Sequence, residues 1–224
     1  MAKQVRRTGA LIGGWVAAAL FGLGLAGAQP AAAAGKISEA NACVQHATEA
    51  EQVLDIPRGL LLAIALVESG QDGIPHPYAM SVNGRAVSAR NVSDASRHLK
   101  DRRGQMRGNV YVGCMQLSLA HHRSQFQPAE AIVEPKQNVW YAARLLVRLH
   151  ADEGSWKSAV ARYNGGSTRQ ARNYVCKVWQ NLNELDARSA RLLESAGCDD
   201  SGNGSVTPAT RRSYRNAQQV AAID

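Results

Sequence analysis

Apolar residues recur at three- and four-residue steps soon after the N-terminal region. Ala40, Val44, Ala47, Ala50 and Leu54 would share one face of a helix over Ser38–Leu54. Asp55-Ile56-Pro57 breaks that pattern, and Pro57 suits the first turn of a second helix. Leu60–Val67 is an unbroken apolar run. A strand could carry it, but the Leu and Ala content and the proline start favour a helix apolar on all sides, hence buried. The run ends at Glu68-Ser69-Gly70. From Gln71 to about Val112 the pattern is irregular. Within it, Tyr78–Val82 and Arg85–Ser88 flank Asn83-Gly84, a pair preferred by type I′ turns, which predicts a small hairpin. Asp94–Arg103 reads as a short polar-faced helix, and Gly113–Leu119 as the start of another short helix or turn. Glu134-Pro135 opens a stronger helix with Val139, Ala142, Leu146 and Leu149 in a stripe. Ser155 is a good N-cap for Trp156–Tyr163, which Asn164-Gly165-Gly166 ends. Thr168–Leu182 places Ala171, Tyr174, Val175 and Val178 inward, and residues 199–224 read as a loose, flexible C-terminal tail. No repeat is visible. The pattern predicts a mainly α domain over residues 38–198 with one small hairpin.

Composition changes this picture at the N-terminus. The chain has 224 residues, 45% apolar and 20% charged, which suits one globular domain with tails and excludes a wholly disordered chain. Its formal charge is +8. Residues 1–28 hold Lys3, Arg6 and Arg7, then an apolar run from Ala10 to Ala26, then the small residues Ala26-Gly27-Ala28. That order predicts a secretory signal peptide; its Gly-rich apolar run is short for a membrane anchor. Ala31–Ala34 offers alternative cleavage points. Losing the segment lowers the formal charge to about +5 and predicts an exported or periplasmic protein. Cys43, Cys114, Cys176 and Cys198 all lie beyond it. An even cysteine count in an exported chain favours disulfides over metal ligands, with three pairings open.

Glu68 is the first candidate for chemistry. A carboxylate at the end of a long apolar run is poorly hydrated, and desolvation raises its pKa. A carboxylic acid still protonated near neutrality can give its proton to a leaving oxygen. The competing reading is an ordinary helix-end Glu, in water or paired with an Arg. His121-His122 near Cys114 fit no common zinc spacing, so neither metal nor cofactor is expected. Lys100-Asp101-Arg102-Arg103 with Arg107 reads as a solvated basic face. Export and the lack of an aromatic-rich basic motif argue against nucleic acid. Trp140, Trp156 and Trp179 lie in helical stripes and read as core.

Four segments, in order, resemble the lytic transglycosylase SLT domain, a family with a lysozyme-like fold (glycoside hydrolase family 23 type). Leu61–Gly70 resembles its apolar helix ending in Glu-Ser. Gly113-Cys114-Met115-Gln116-Leu117 resembles its Gly-apolar-Met-Gln-Ile motif, and Ala161–Gly166 its Ala-Tyr-Asn-Ala-Gly motif. Tyr174 with Val175 and Val178 resembles its closing helix. The resemblance spans roughly Ala40 to Leu182. Cys114 and Gly166 depart from the family pattern, and the Gln71–Val112 loop is long.

The resemblance implies a lysozyme-like domain that cuts peptidoglycan at the β-1,4 bond between N-acetylmuramic acid and N-acetylglucosamine. Glu68 would act alone, first as acid and then as base on the sugar's C6 hydroxyl, leaving a 1,6-anhydro end. Asp72, the next acid, reads as a solvated loop residue and not a second catalytic carboxylate. Ser69, Met115, Gln116, Tyr163 and Asn164 would contact substrate or shape the site, with Tyr163 orienting Glu68. Glycan strands are the implied partner, the basic face could attract their anionic stem peptides, and an envelope-spanning secretion, conjugation or flagellar machine is the apparatus served. A hydrolytic muramidase on the same scaffold and a non-catalytic wall-binding assembly factor are the alternatives. The expected disulfides are Cys43–Cys114 and Cys176–Cys198.

Overall fold

A buried apolar helix needs other elements on every side, and the chain supplies them in order. The structure is a computed structural model that describes residues 39–194, 198 and 204–221. The predicted signal segment 1–28 and Ala31–Ala34 lie outside the described residues. Helix α1 (Ala42–Val53) buries Cys43, Val44, Ala47 and Ala50 on one face. Helix α2 (Leu60–Ser69) is the apolar run, and each residue from Leu60 to Leu66 is at most 4% exposed. It starts later than Pro57 suggested, because Gly59 adopts a left-handed conformation just ahead of it. Truncating any one of its leucines would cost about 2–5 kcal/mol.

The irregular middle region is richer in strands than expected. Strands β1 (Gly70–Gln71) and β2 (Ile74–Pro75) form a tight hairpin directly after α2. Strands β3 (Ala79–Val82) and β4 (Arg85–Ser88) are the predicted hairpin, with positive φ at both Asn83 and Gly84. Helix α3 (Val92–His98) starts and ends before the predicted Asp94–Arg103. Asn91 accepts from the Asp94 N–H at its start, and Asp101 closes its own turn by accepting from the Arg103 and Gln105 N–H groups. Strands β5 (Val110–Val112) and β6 (Leu117–Ser118) complete a four-stranded sheet in the order β4-β3-β5-β6. A sheet therefore replaces the lone hairpin, and β6 falls where a helix or turn was expected. The unexpected strands β1, β2, β5 and β6 are two or three residues long, too short for a period to show.

Helices α4 (Leu119–His122), α5 (Pro135–Glu153), α6 (Trp156–Asn164), α7 (Thr168–Leu185) and α8 (Ala187–Ala190) follow. Ser155 caps α6 as predicted, accepting from the Ser158 N–H, and left-handed Gly165 ends it. The helices pack in a closed circuit: α2 on α1, α1 on α5, α5 on α6, α6 on α7, and α7 back on α2. The fold is thus mainly α with small antiparallel sheets, the lysozyme-like arrangement expected.

The tail expectation needs correction. Helix α9 (Pro208–Ala221) packs on α1 and buries Thr210 and Tyr214. Its attachments are mostly polar, so an apolar pattern could not announce it. Thr210 Oγ1 donates to the Gly73 carbonyl, Arg211 reaches Glu184 on α7, and Arg58 donates to Gln218. Both expected disulfides are present: Cys43–Cys114 joins α1 to the segment before β6, and Cys176–Cys198 joins α7 to the chain beyond it.

Candidate active site

Glu68 stands in the last turn of α2, where the apolar run meets the β region. Burial pushes its carboxyl up to about 7, against the opposing pull of one hydrogen bond. That bond comes from Tyr174 on α7, whose hydroxyl donates to Glu68 Oε1 at 2.6 Å. No protein donor reaches the other oxygen among the described residues, and the side chain remains partly exposed. A carboxyl half-protonated near pH 7 with one oxygen free can hand a proton to a substrate and take one back.

Tyr163 lies near enough to Glu68 to feel its charge, but its hydroxyl bond goes elsewhere. Its hydroxyl donates to the Met115 carbonyl at 2.9 Å, and Tyr174 is the residue bonded to the carboxyl. Both phenols face the same charge: burial first, then Glu68, lifts each well above the ordinary tyrosine value. They stay neutral donors throughout the working range.

The segment after β5 is held as tightly as α2. Gly113 has φ +77°, and a Cβ there would meet the Asn138 amide at 2.8 Å. Asn138, fully buried on α5, donates to the Val112 and Ile132 carbonyls and accepts from the Met115 N–H. Gln116, at φ +44°, donates its amide to the Ala79 and Gly113 carbonyls at 2.9 and 3.0 Å. Both N–H bonds are thereby used within the protein, and the side-chain carbonyl is what Gln116 has left to offer a ligand. Ser69 is buried, with its hydroxyl against the Ala65 and Cys114 carbonyls. Met115 is fully buried. These two pack the site, in place of the substrate contact expected of them. Asn164 is exposed at the end of α6. Asp72 is exposed in the β1–β2 turn, at φ +50°.

Other candidates find ordinary partners. Cys114 is bridged to Cys43, and His122 Nδ1 lies 2.9 Å from the Tyr141 hydroxyl. Among the described residues no cluster of three or more His, Cys, Asp or Glu could hold a metal ion. Trp156 stacks on His150, and Trp140 and Trp179 pack against the core. Lys100 pairs with Glu130 at 2.6 Å, outside the site.

These residues fall within one recognised sequence family. A family model, the transglycosylase SLT domain, matches residues 45–181, more than half the chain. The chain belongs to this family. Searches of curated proteins and of solved structures returned no match. Membership supports a lytic transglycosylase-type activity with peptidoglycan as substrate. Glu68, Gln116, Tyr163 and Tyr174 all lie within the matched SLT segment, whereas α9 lies beyond it. The sequence reading missed Asn138, the Tyr174 bond and a second buried carboxylate, Glu51 on α1. Only the last had a local signal: an acid on the apolar side of a helix is out of place unless it is bonded.

Proposed function

We propose that this SLT domain is a peptidoglycan lytic transglycosylase in which Glu68 is both acid and base. What carries this reading is one carboxyl raised to about 7, steadied by one phenol and otherwise unpartnered. In the first step the bond between C1 of N-acetylmuramic acid and the bridging O4 breaks, and the Glu68 proton passes to O4. The substrate's N-acetyl group stabilises the electron-poor C1. In the second step the C6 oxygen of the same sugar bonds to C1 and its proton returns to Glu68. The product is a 1,6-anhydro ring, no water is consumed and no second carboxylate is required. Asp72, exposed in its turn, fits this single-acid scheme.

A raised carboxyl suits both halves of the cycle. It holds a proton to give near neutrality, and its conjugate base is strong enough to accept one. When the carboxylate forms, the Tyr174 hydroxyl stays neutral and holds it through a charge-assisted hydrogen bond. The signal-like N-terminus supports export to the compartment that holds the wall, and an envelope-spanning secretion, conjugation or flagellar machine is the apparatus such an enzyme serves.

Mass spectrometry of purified sacculi digested by wild type and Glu68→Gln tests the proposal. Anhydro ends from wild type, with cutting reduced about 10³-fold or more in the variant, are expected. Reducing ends would assign a hydrolytic muramidase instead. Sacculi left whole by wild type would assign a non-catalytic wall-binding role.

A further inference from the structure

The site uses the far end of α2, but the near end holds an equally unusual group. Glu51 is 3% exposed and lies on α1. Its Oε1 accepts from the Leu61 and Leu62 N–H groups at 2.8 and 3.2 Å, and its Oε2 from the Gly59 N–H at 2.8 Å. These are the orphan donors of the first turn of α2, which has no side-chain cap of its own. A fourth donor comes from α9: the Tyr214 hydroxyl reaches Oε2 at 3.2 Å. All four partners can donate, and a carboxylate, with acceptors on both oxygens, satisfies them together.

The same C-terminal segment touches the other parts of the site frame. Thr210 bonds the Gly73 carbonyl just beyond Glu68, and Arg211 bonds Glu184 on α7, the helix of Tyr174. Ser205 bonds Asn181, which in turn bonds the Ala63 carbonyl within α2. The Cβ that Gly59 lacks would stand 3.2 Å from Leu182 and 3.4 Å from the Tyr214 hydroxyl, so the approach is close and leaves α2 little room to shift.

We infer that Glu51 and Tyr214 are positioning residues for Glu68, which makes the C-terminal helix, outside the SLT match, part of the catalytic unit. This rests on the proposed role of Glu68. The leverage is simple. From Leu60 to Glu68 a helix runs about 12 Å. A tilt of about 5° at the capped end moves the carboxyl by about 1 Å, a misplacement that costs about 10²-fold in rate. Glu51 fixes the tilt from α1, and Tyr214 fixes Glu51 from α9.

The test uses the full chain with Glu51→Gln and Tyr214→Phe. It reads kcat and KM for release of soluble fragments from sacculi, well below each variant's Tm. It also reads the ¹³C resonance of Glu68 Cδ in Glu-labelled protein, assigned through Glu68→Gln. Tyr214→Phe should lower kcat about 3–10-fold with KM within about twofold, and Glu51→Gln should lower it further. Both should displace the Glu68 resonance. Folded variants with wild-type kcat and an unmoved resonance overturn the inference, whatever their Tm. If Glu51→Gln fails to fold, Tyr214→Phe decides, since it leaves the three N–H bonds in place. If wild type cuts nothing, the proposed function fails separately and the resonance still decides the positioning role.

Discussion

The two ends of α2 present the same side chain in opposite circumstances. Glu51, reaching the N-terminal end from α1, and Glu68, at the C-terminal end, are both pushed up to about 7 by burial. Glu51 accepts from four donors, three of them backbone. Glu68 accepts from one. Burial alone therefore does not make a catalytic acid. A carboxyl whose oxygens are all engaged is a bracket, and one with an oxygen to spare can meet a substrate. The macrodipole sharpens the contrast, since negative charge is favoured at the N-terminus of α2 and disfavoured at its C-terminus.

Substituting the two ends should break the symmetry first. Glu51→Ala leaves buried N–H groups without acceptors and should lower unfolding free energy by about 3–5 kcal/mol in urea titrations. Glu68→Gln should do the reverse at pH 8. A carboxyl with a raised folded pKa contributes stability that is full below about 4.5 and lost as pH climbs through about 7. Removing that charge should gain about 1–2 kcal/mol at pH 8 and flatten the decline between pH 5 and 8. Equal losses from both substitutions would sink the distinction.

Tyr174→Phe probes the single donor. Its hydrogen bond lowers the Glu68 pKa, so its loss should move the Glu68-dependent limb of the pH–rate profile upward. The rate near neutrality should fall about tenfold, through loss of hold on the carboxylate. An unchanged profile would mean that the phenol merely packs. The smallest effect belongs to Asp72→Asn, which should leave the digestion rate within about twofold. A loss comparable to that of Glu68→Gln would restore a two-carboxylate scheme.

What the sequence made legible followed the range of each interaction. The apolar run, its terminal Glu68 and the Asn83-Gly84 hairpin were readable because their causes are local: period, turn chemistry and desolvation. Gln116 and Tyr163 were visible through resemblance, yet their bonding was not. The resemblance set Tyr163 beside Glu68; the fold keeps it within reach of that charge and gives its hydroxyl bond to the Met115 carbonyl. Tyr174 was read as an inward side chain, but its partner lies 106 residues away and no pattern encodes it. Helix α9 was hidden for a related reason. Its Gly/Ser/Thr-rich setting looks like a tail, and what holds it are hydroxyls and an arginine finding distant acceptors.

Synthesis from the N-terminus imposes a timetable on the bracket at Glu51. The Gly59 N–H, eight residues on, is at hand almost as soon as α1 exists. Tyr174 becomes available to Glu68 only after most of the chain has been made. Tyr214 comes last, 163 residues after Glu51. A nascent chain can thus start α2 early and hold the acid in place before its phenol arrives. Tyr214 lies in the second turn of α9, so a part of the polypeptide made later locks one made long before.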